Sequence, residues 1–247
     1  MNINFKGKTV LITGATRGIG KQIADDFLRL GANLILTGTK KEDIDAFNRK
    51  AKGRKVKYYA VDFLDKESFG NFLNELGSFK NIDVCINNAG INRINPVDEI
   101  LDRDWDDIMA VNLDAPFKIT RAVGRLMKKN KYGRIVNICS IFGSISRAKR
   151  AAYSSSKFGI RGLTVASALD LAPYNVLVNS VSPGFVITDL TKRVLGAEGM
   201  KKVSGEIPLG RLANPEEISR VVAFLSSSEN TYLTGQNIIV DGGFVNV

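Results

Sequence analysis

"KTVLITGATRGIGKQIADDFLRLG", residues 8 to 31, decides how the rest of the chain is read. Its first seven residues form a short β-rich run that ends in glycine, and "IGKQIADDFLRLG" (19–31) reads as a helix. Between them, in "TGATRGIG" (13–20), Gly14, Gly18 and Gly20 permit a tight turn and a close approach of backbone to a pyrophosphate. The helix that follows offers free N–H donors and the positive end of its dipole. Three glycines alone could equally serve a strand-to-helix turn that merely needs them. Their position after the first strand of a βαβ unit is what points to nucleotide binding.

The same alternation continues outward. "NLILTG" (33–38), "VKYYAVD" (56–62), "DVCINNAG" (83–90), "GRIVNICS" (133–140), "NVLVNSVSPG" (175–184) and "NIIVDGG" (237–243) read as six further strands. Helical patterns occupy 104–129, 153–172 and 216–227, and a lysine-rich helix precedes the third strand. Strands that are unbroken apolar runs between helices imply a parallel sheet covered on both faces. With right-handed crossovers the expected fold class is α/β, a doubly wound, Rossmann-like, seven-stranded parallel sheet. No linker interrupts the pattern, so residues 1–247 are expected to form one domain. Ligands in such folds bind beyond the carboxyl ends of the strands.

Composition narrows the chemistry. With 44% hydrophobic and 24% charged residues the chain reads as soluble and globular, and no apolar run reaches membrane-spanning length. The N-terminus reads as a strand rather than a signal peptide. Cys85 and Cys139 lie in apolar strand runs, as buried free thiols of a reducing cytoplasm would. There is no histidine. That excludes a Ser-His-Asp triad, a Cys-His pair and every His-containing zinc site, and no metal site is expected. The net charge of +10 is concentrated in "RLMKKNKYGR" (125–134) and "SRAKR" (146–150). It is open to nucleic acid, an acidic protein or anionic small molecules, or to solubility alone.

Without histidine, another group must carry protons near neutral pH. In "RAAYSSSKFG" (150–159), Tyr153 and Lys157 stand at i and i+4, on one face of a helix. A free tyrosine, with a pKa of about 10, is a poor acid or base at neutrality. A neighbouring ammonium favours the phenolate and lowers that pKa, so the pair can serve as acid or base at a carbonyl. Ser140 ends the fifth strand, where its hydroxyl could hold a substrate oxygen. Each residue also has a plain structural reading, as packing tyrosine, surface lysine or strand cap. The S-x-x-K at 154–157 would suit a penicillin-binding serine enzyme, but neither S-D-N nor K-T-G occurs.

Thr13 followed by G-x-x-x-G-x-G, then "NNAG" (87–90), Ser140 and Y-x-x-x-K at 153–157, resembles the short-chain dehydrogenase/reductase family. The resemblance extends to "SPG" (182–184) and "TGQNIIVDGG" (234–243), covering essentially the whole chain. It implies that Asn112, in the helix "DIMAVNLDAPF", anchors a water relaying protons from Lys157, which would also hold the nicotinamide ribose. It implies that Gly14, Thr16, Arg17, Gly18, Ile19 and Gly20 cradle the cofactor, and that Asn88, Ala89 and Gly90 line its groove. Asp62 and Phe63 would meet the adenine, and Pro183, Gly184, Ile187 and Thr188 would bracket the carboxamide. A homotetramer through the helices 104–129 and 153–172 and the C-terminal segment is also implied.

Cofactor choice is read at the end of the second strand, where a carboxylate would bind the adenosine ribose 2′-OH and repel a 2′-phosphate. The position expected to carry that acid is Gly38, followed by Thr39, Lys40 and Lys41, and Arg17 could reach the phosphate. NADP(H) is therefore expected over NAD(H), although both basic groups could be solvated surface residues.

Residues 188–210 look like a lid over the substrate, carrying Lys192, Arg193, Lys201 and Lys202. Arg147, Lys149 and Arg150 fall between Ser140 and Tyr153. Arg147 and Arg150 are the candidate substrate residues for an anionic partner: an acyl-carrier protein, a sugar acid or a phosphorylated compound. The pattern is similar to bacterial 3-oxoacyl-acyl-carrier-protein reductases. It departs from them in having Lys131 and Tyr174 where two arginines are thought to receive the carrier. The stretch 87–117 is similar to gluconate and deoxygluconate dehydrogenases of the same family. A basic binding module without catalysis is the reading from another class, and neither nucleic acid nor membrane is expected as a partner.

Overall fold

Three apolar tetrads, "TVLI", "VCIN" and the centre of "GRIVNI", are buried from end to end. Such strands need cover on both faces, and the computed structural model, which describes residues 3–53 and 55–247, provides it. The strands are β1 (Thr9–Ile12), β2 (Asn33–Gly38), β3 (Val56–Ala60), β4 (Val84–Asn87), β5 (Gly133–Ile138), β6 (Val176–Pro183) and β7 (Asn237–Val240). They form one parallel sheet in the order β3-β2-β1-β4-β5-β6-β7. The fold is thus α/β and doubly wound, as the alternation of apolar runs predicts. Strand order reverses between β1 and β4, which opens a crevice at their carboxyl ends.

The helices are α1 (Gly18–Arg29), α2 (Lys41–Lys50), α3 (Lys66–Ser78), α4 (Asp102–Met109), α5 (Ala115–Asn130), α6 (Ala151–Leu171), α7 (Asp189–Glu206) and α8 (Pro215–Ser226). Side chains on alternate strand positions serve opposite faces. Val10, Ile12, Ile86 and Val136 pack with Ile23 and Phe27 of α1 and Ile218 and Val222 of α8. Leu11, Cys85, Ile135 and Val178 pack with Phe72 of α3, Ile119 and Val123 of α5 and Ala168 of α6. A smaller cluster joins Ile141, Phe142, Val203, Ile207, Leu212 and Phe244 under α7.

Several elements differ from the sequence reading. Helix α3 is an addition, capped by Asp65, whose carboxylate accepts from Glu67 N and Ser68 N. The single helix expected at 104–129 is two helices joined by a π-helical turn, Ala110–Asp114. The 188–210 segment is largely the helix α7, broken at Gly196, where φ is 63°. Its return to α8 is tied by Arg211, which donates to both carboxylate oxygens of Glu217 at 2.8 Å. Glu217 in turn accepts from Asn214 N–H at 2.8 Å. Cys85 and Cys139 are both free and buried, and burial pushes the Cys85 thiol far up. Among the described residues no helix is long and apolar enough to cross a membrane.

Candidate active site

The glycine turn is stitched to the end of β4. Thr13 Oγ1 accepts from Asn88 N at 2.9 Å and Ala89 N at 3.0 Å. Asn88 Nδ2 donates back to Thr13 O at 2.9 Å and Gly14 O at 3.1 Å. Gly14 N donates to Thr37 Oγ1 at 3.2 Å, adding β2 to the junction. Two glycines are forced by this closeness. A Cβ on Gly14, at φ 63°, would lie 2.9 Å from Ala89 Cα, and one on Gly20 would overlap the Asn88 amide and the Gly14 carbonyl.

Helix α1 starts at this turn with no side-chain cap and no acid in its first turn. The N–H groups of Gly18, Ile19 and Gly20 have no protein acceptor among the described residues. Ile19 is half-buried, and Arg17 is exposed without a carboxylate partner among the described residues. Such an end suits a pyrophosphate, whose oxygens would take those donors. At Gly38 a Cβ would overlap the Thr16 methyl, so the end of β2 holds no acid and leaves Thr39 and Lys40 exposed beside it. These residues fit a dinucleotide with a 2′-phosphate. Asp62 is exposed and accepts from Leu64 N at 2.9 Å, while Phe63 packs on Phe69 at 4.8 Å between ring centroids.

Across the crevice, Pro183 closes β6, and a Cβ on Gly184 would lie 2.8 Å from Asp241 Cα. Ile187 N donates to Ala213 O at 2.8 Å. Thr188 caps α7 by accepting from Thr191 N at 3.2 Å. Its methyl lies 3.6 Å from where a Cβ on Gly18 would sit, so this loop faces the glycine turn.

Ser140, Tyr153, Lys157 and Asn112 converge where β4 and β5 end. Lys157 Nζ is buried and donates to Ile138 O at 2.9 Å, and it lies 5.6 Å from the Tyr153 ring centroid. The Tyr153 side chain is half-buried, and its hydroxyl has no hydrogen-bond partner among the described residues. Ser140 is buried, and its Oγ accepts from Phe142 N at 3.1 Å, leaving its proton to donate. Asn112 sits in the π-helical turn, a distortion that often marks functional sites. Its Oδ1 accepts from Ile91 N at 2.8 Å, and its Nδ2 donates to Ile91 O at 2.9 Å and Ser156 Oγ at 3.1 Å. A Cβ on Gly90 would lie 3.4 Å from Asn112 Oδ1 and 3.7 Å from Lys157 Nζ, so the bare glycine leaves both atoms bordering one space.

The two candidate substrate arginines part company. Arg147 is ion-paired to Glu206 of α7 at 2.6 Å and lies 4.9 Å from the Phe244 ring centroid. Arg150 is half-buried over Phe142, 5.3 Å from its ring centroid, and has no carboxylate partner among the described residues. Of the carrier positions, Lys131 ends α5 in a left-handed turn and Tyr174 lies under Lys128 Nζ, at 4.2 Å. Thr13, Ser156 and the carbonyls of Ile91 and Ile138 were not singled out from sequence. Only Thr13, fixed at the strand end within the motif, carried a signal that could have found it.

A family model described as enoyl-(acyl carrier protein) reductase matches residues 14–245, nearly the whole chain and every group just described. The chain belongs to the short-chain dehydrogenase/reductase family. It is an oxidoreductase of that family. It is 40% identical over 247 residues to the 3-oxoacyl-[acyl-carrier-protein] reductase FabG of Aquifex aeolicus, covering 98% of this chain and 99% of that protein. It is 36% identical over 242 residues to the FabG of Escherichia coli strain K12, covering 98% of each. Among solved structures, a putative NAD(P)-dependent gluconate 5-dehydrogenase from Beutenbergia cavernae with bound NADP superposes with a TM-score of 0.92 at 34% identity, over 100% of both chains. A gluconate 5-dehydrogenase from Burkholderia cenocepacia in complex with NADP and tartrate gives 0.91 at 30% identity, over 100% of this chain and 98% of that one.

Proposed function

We propose that this oxidoreductase uses NADPH to reduce a ketone to a secondary alcohol, with Tyr153 as the proton donor, and that its substrate is a 3-oxoacyl thioester. The observation that carries the reading is the unbonded Tyr153 hydroxyl at the mouth of the crevice, one helical turn from the buried Lys157 ammonium. The uncapped start of α1, with Arg17 and a side-chain-free Gly38, supports NADP(H) over NAD(H). So does the bound NADP of the similar B. cavernae structure. Residues 14–20, Asp62, Phe63, Asn88 to Gly90, Pro183, Gly184, Ile187 and Thr188 would hold the cofactor, which when bound supplies the hydride.

The chain's own groups do the rest. Ser140 Oγ donates to the substrate carbonyl oxygen and fixes it beside Tyr153. The Tyr153 hydroxyl gives its proton to that oxygen as negative charge builds there. Lys157 stabilises the phenolate left behind, because an ammonium a few ångströms away favours the charged form. Asn112 has both amide hydrogens engaged, so it acts through Oδ1, bordering the space by Gly90 from which Lys157 regains a proton.

Residues 1–247 act as one domain, with 188–210 as the lid. The exposed apolar side chains Phe117, Phe158, Val165 and Leu169 on α5 and α6 suit a homotetramer, and the free, buried cysteines suit the cytoplasm. The sugar-acid dehydrogenase reading is the second one, supported by the gluconate 5-dehydrogenase neighbours and by the uncompensated Arg150. A screen of NADPH oxidation over 3-oxoacyl thioesters and keto-sugar acids, with NADH as control, separates the two. Turnover that survives Tyr153→Phe unchanged would return the chain to the class of binding modules.

A further inference from the structure

Arg150 opens α6, three residues before Tyr153. Its guanidinium lies 5.3 Å from the Phe142 ring centroid, and that ring meets Tyr153 edge-on at 6.4 Å. One aromatic wall therefore carries the proton donor at one end and a cation at the other. Burial pushes the Arg150 pKa below the ordinary arginine range, Tyr153 offsets some of that, and the like charge of Arg147 adds to it. Arg134, also pressed down by burial, donates to the carbonyls of Gly133, Asn175 and Asn230. Arg150 has neither a carboxylate nor a hydrogen-bond acceptor among the described residues. The backbone that delivers it is also unusual. Lys149 is left-handed at φ 66°, a conformation that costs a side-chain-bearing residue about 1–2 kcal/mol.

A half-desolvated guanidinium facing the reacting tyrosine, with nothing of the protein's own to neutralise it, is a receptor for an anion. Its fork matches two carboxylate oxygens. Arg147 cannot share the task while Glu206 holds it. We propose that Arg150 is a specificity-determining residue, receiving a carboxylate that the substrate carries within a few bonds of its reacting carbonyl. The proposal rests on Tyr153 being the proton donor, and it names the substrate class as free oxo acids and their hydroxy-acid products. In a thioester on a carrier arm the carbonyl has no such charge beside it. The fixed span between Arg150 and Tyr153 then selects short, charged molecules over long, neutral acyl chains.

The test uses a matched pair of probes, acetoacetate and ethyl acetoacetate, which share a 3-oxo group and differ in the charge. Purified full-length enzyme is assayed by NADPH oxidation as wild type, Arg150→Gln, Arg150→Lys and Tyr153→Phe, with thermal unfolding to check that each variant is folded. The wild type is expected to favour the acid in kcat/KM. In Arg150→Gln the acid-to-ester ratio falls about 10–100-fold, mostly through the KM of the acid, as expected for a lost charge-assisted pair. Arg150→Lys restores part of that ratio. An ester reduced as well as the acid by the wild type, or a ratio unchanged in Arg150→Gln, overturns the receptor while leaving the catalytic reading intact. Turnover of neither probe by the wild type counts against the receptor, whereas turnover unaffected by Tyr153→Phe removes the catalytic reading beneath it.

Discussion

On the glycine-turn side of the crevice, Asn88 and Thr13 join β1 and β4 through four hydrogen bonds of 2.9 to 3.1 Å, and added Cβ atoms at Gly14 and Gly20 would meet backbone. On the opposite side, the loop before α6 reaches α7 through one ion pair, Arg147–Glu206, between half-exposed side chains, and α7 is broken at Gly196. The first wall is built from main chain and short polar side chains, so a small displacement there has no low-energy way out. The second is built from long side chains and can open. A shared cofactor demands the first kind of wall, and a variable substrate tolerates the second.

The largest effect should come where the walls meet. Tyr153→Phe is expected to lower kcat by about 10²–10⁴-fold while leaving NADPH affinity, read by cofactor fluorescence, nearly unchanged. A parallel loss of cofactor affinity would mean that the tyrosine belongs to the rigid wall instead. Gly20→Ala attacks that wall directly. Because the new methyl overlaps the Gly14 carbonyl and the Asn88 amide, a stability loss of about 1–3 kcal/mol and a weakened NADPH Kd are expected together, by denaturant titration and calorimetry. Arg17→Glu leaves the fold alone and is expected to shift the NADPH-to-NADH preference at least about tenfold toward NADH, because a carboxylate would face the 2′-phosphate. Arg147→Ala tests the looser wall. Its exposed pair contributes about 0–1 kcal/mol, so stability should hold. KM should rise about 2–5-fold, and proteolysis within 189–206 should quicken as the lid loses its tie, in line with a fraction of a kcal/mol.

The smallest effect concerns the joint where the lid returns to the body. Hydrogen bonding from Arg211, and then from the Asn214 N–H, holds the Glu217 carboxyl down to about 2. Its folded pKa lies below the unfolded value of about 4.3, so its contribution is complete above that pH and is lost as the pH falls toward 2. Melting temperature followed through this window should fall less steeply in Glu217→Gln. The group is solvent-reached, so the difference should be slight. An unchanged slope would mean that the joint is held by the Arg211 contact with the Leu212 carbonyl and by packing alone.

The sheet was legible because its strands are apolar runs closed by polar or glycine residues, and β2 falls at 33–38 as its composition predicts. Helix α3 was equally available: Asp65 precedes Phe69, Phe72 and Leu76 at helical spacing. The cofactor and proton-transfer positions were legible because local motifs carry them. What spacing cannot reveal is pairing at a distance. That Arg147 is neutralised and Arg150 is not depends on Glu206, fifty-nine residues along the chain from Arg147. The π-helical turn was hidden for a different reason, since "MAVNLDAP" satisfies a helical pattern whether or not its hydrogen bonds widen by one residue.

That wide turn has a consequence for how the chain can change length. A residue more than an α-helical turn needs shifts everything after it by about 100° around the helix axis. Deleting any one residue from 110–114 would let α4 and α5 fuse into a single regular rod. It would also swing Ile119, Val123 and Met127 off the sheet and bring Lys118 and Arg121 round toward it. Residues 110–114 thus act as a phase-setter, in which the number of residues counts as much as their identity.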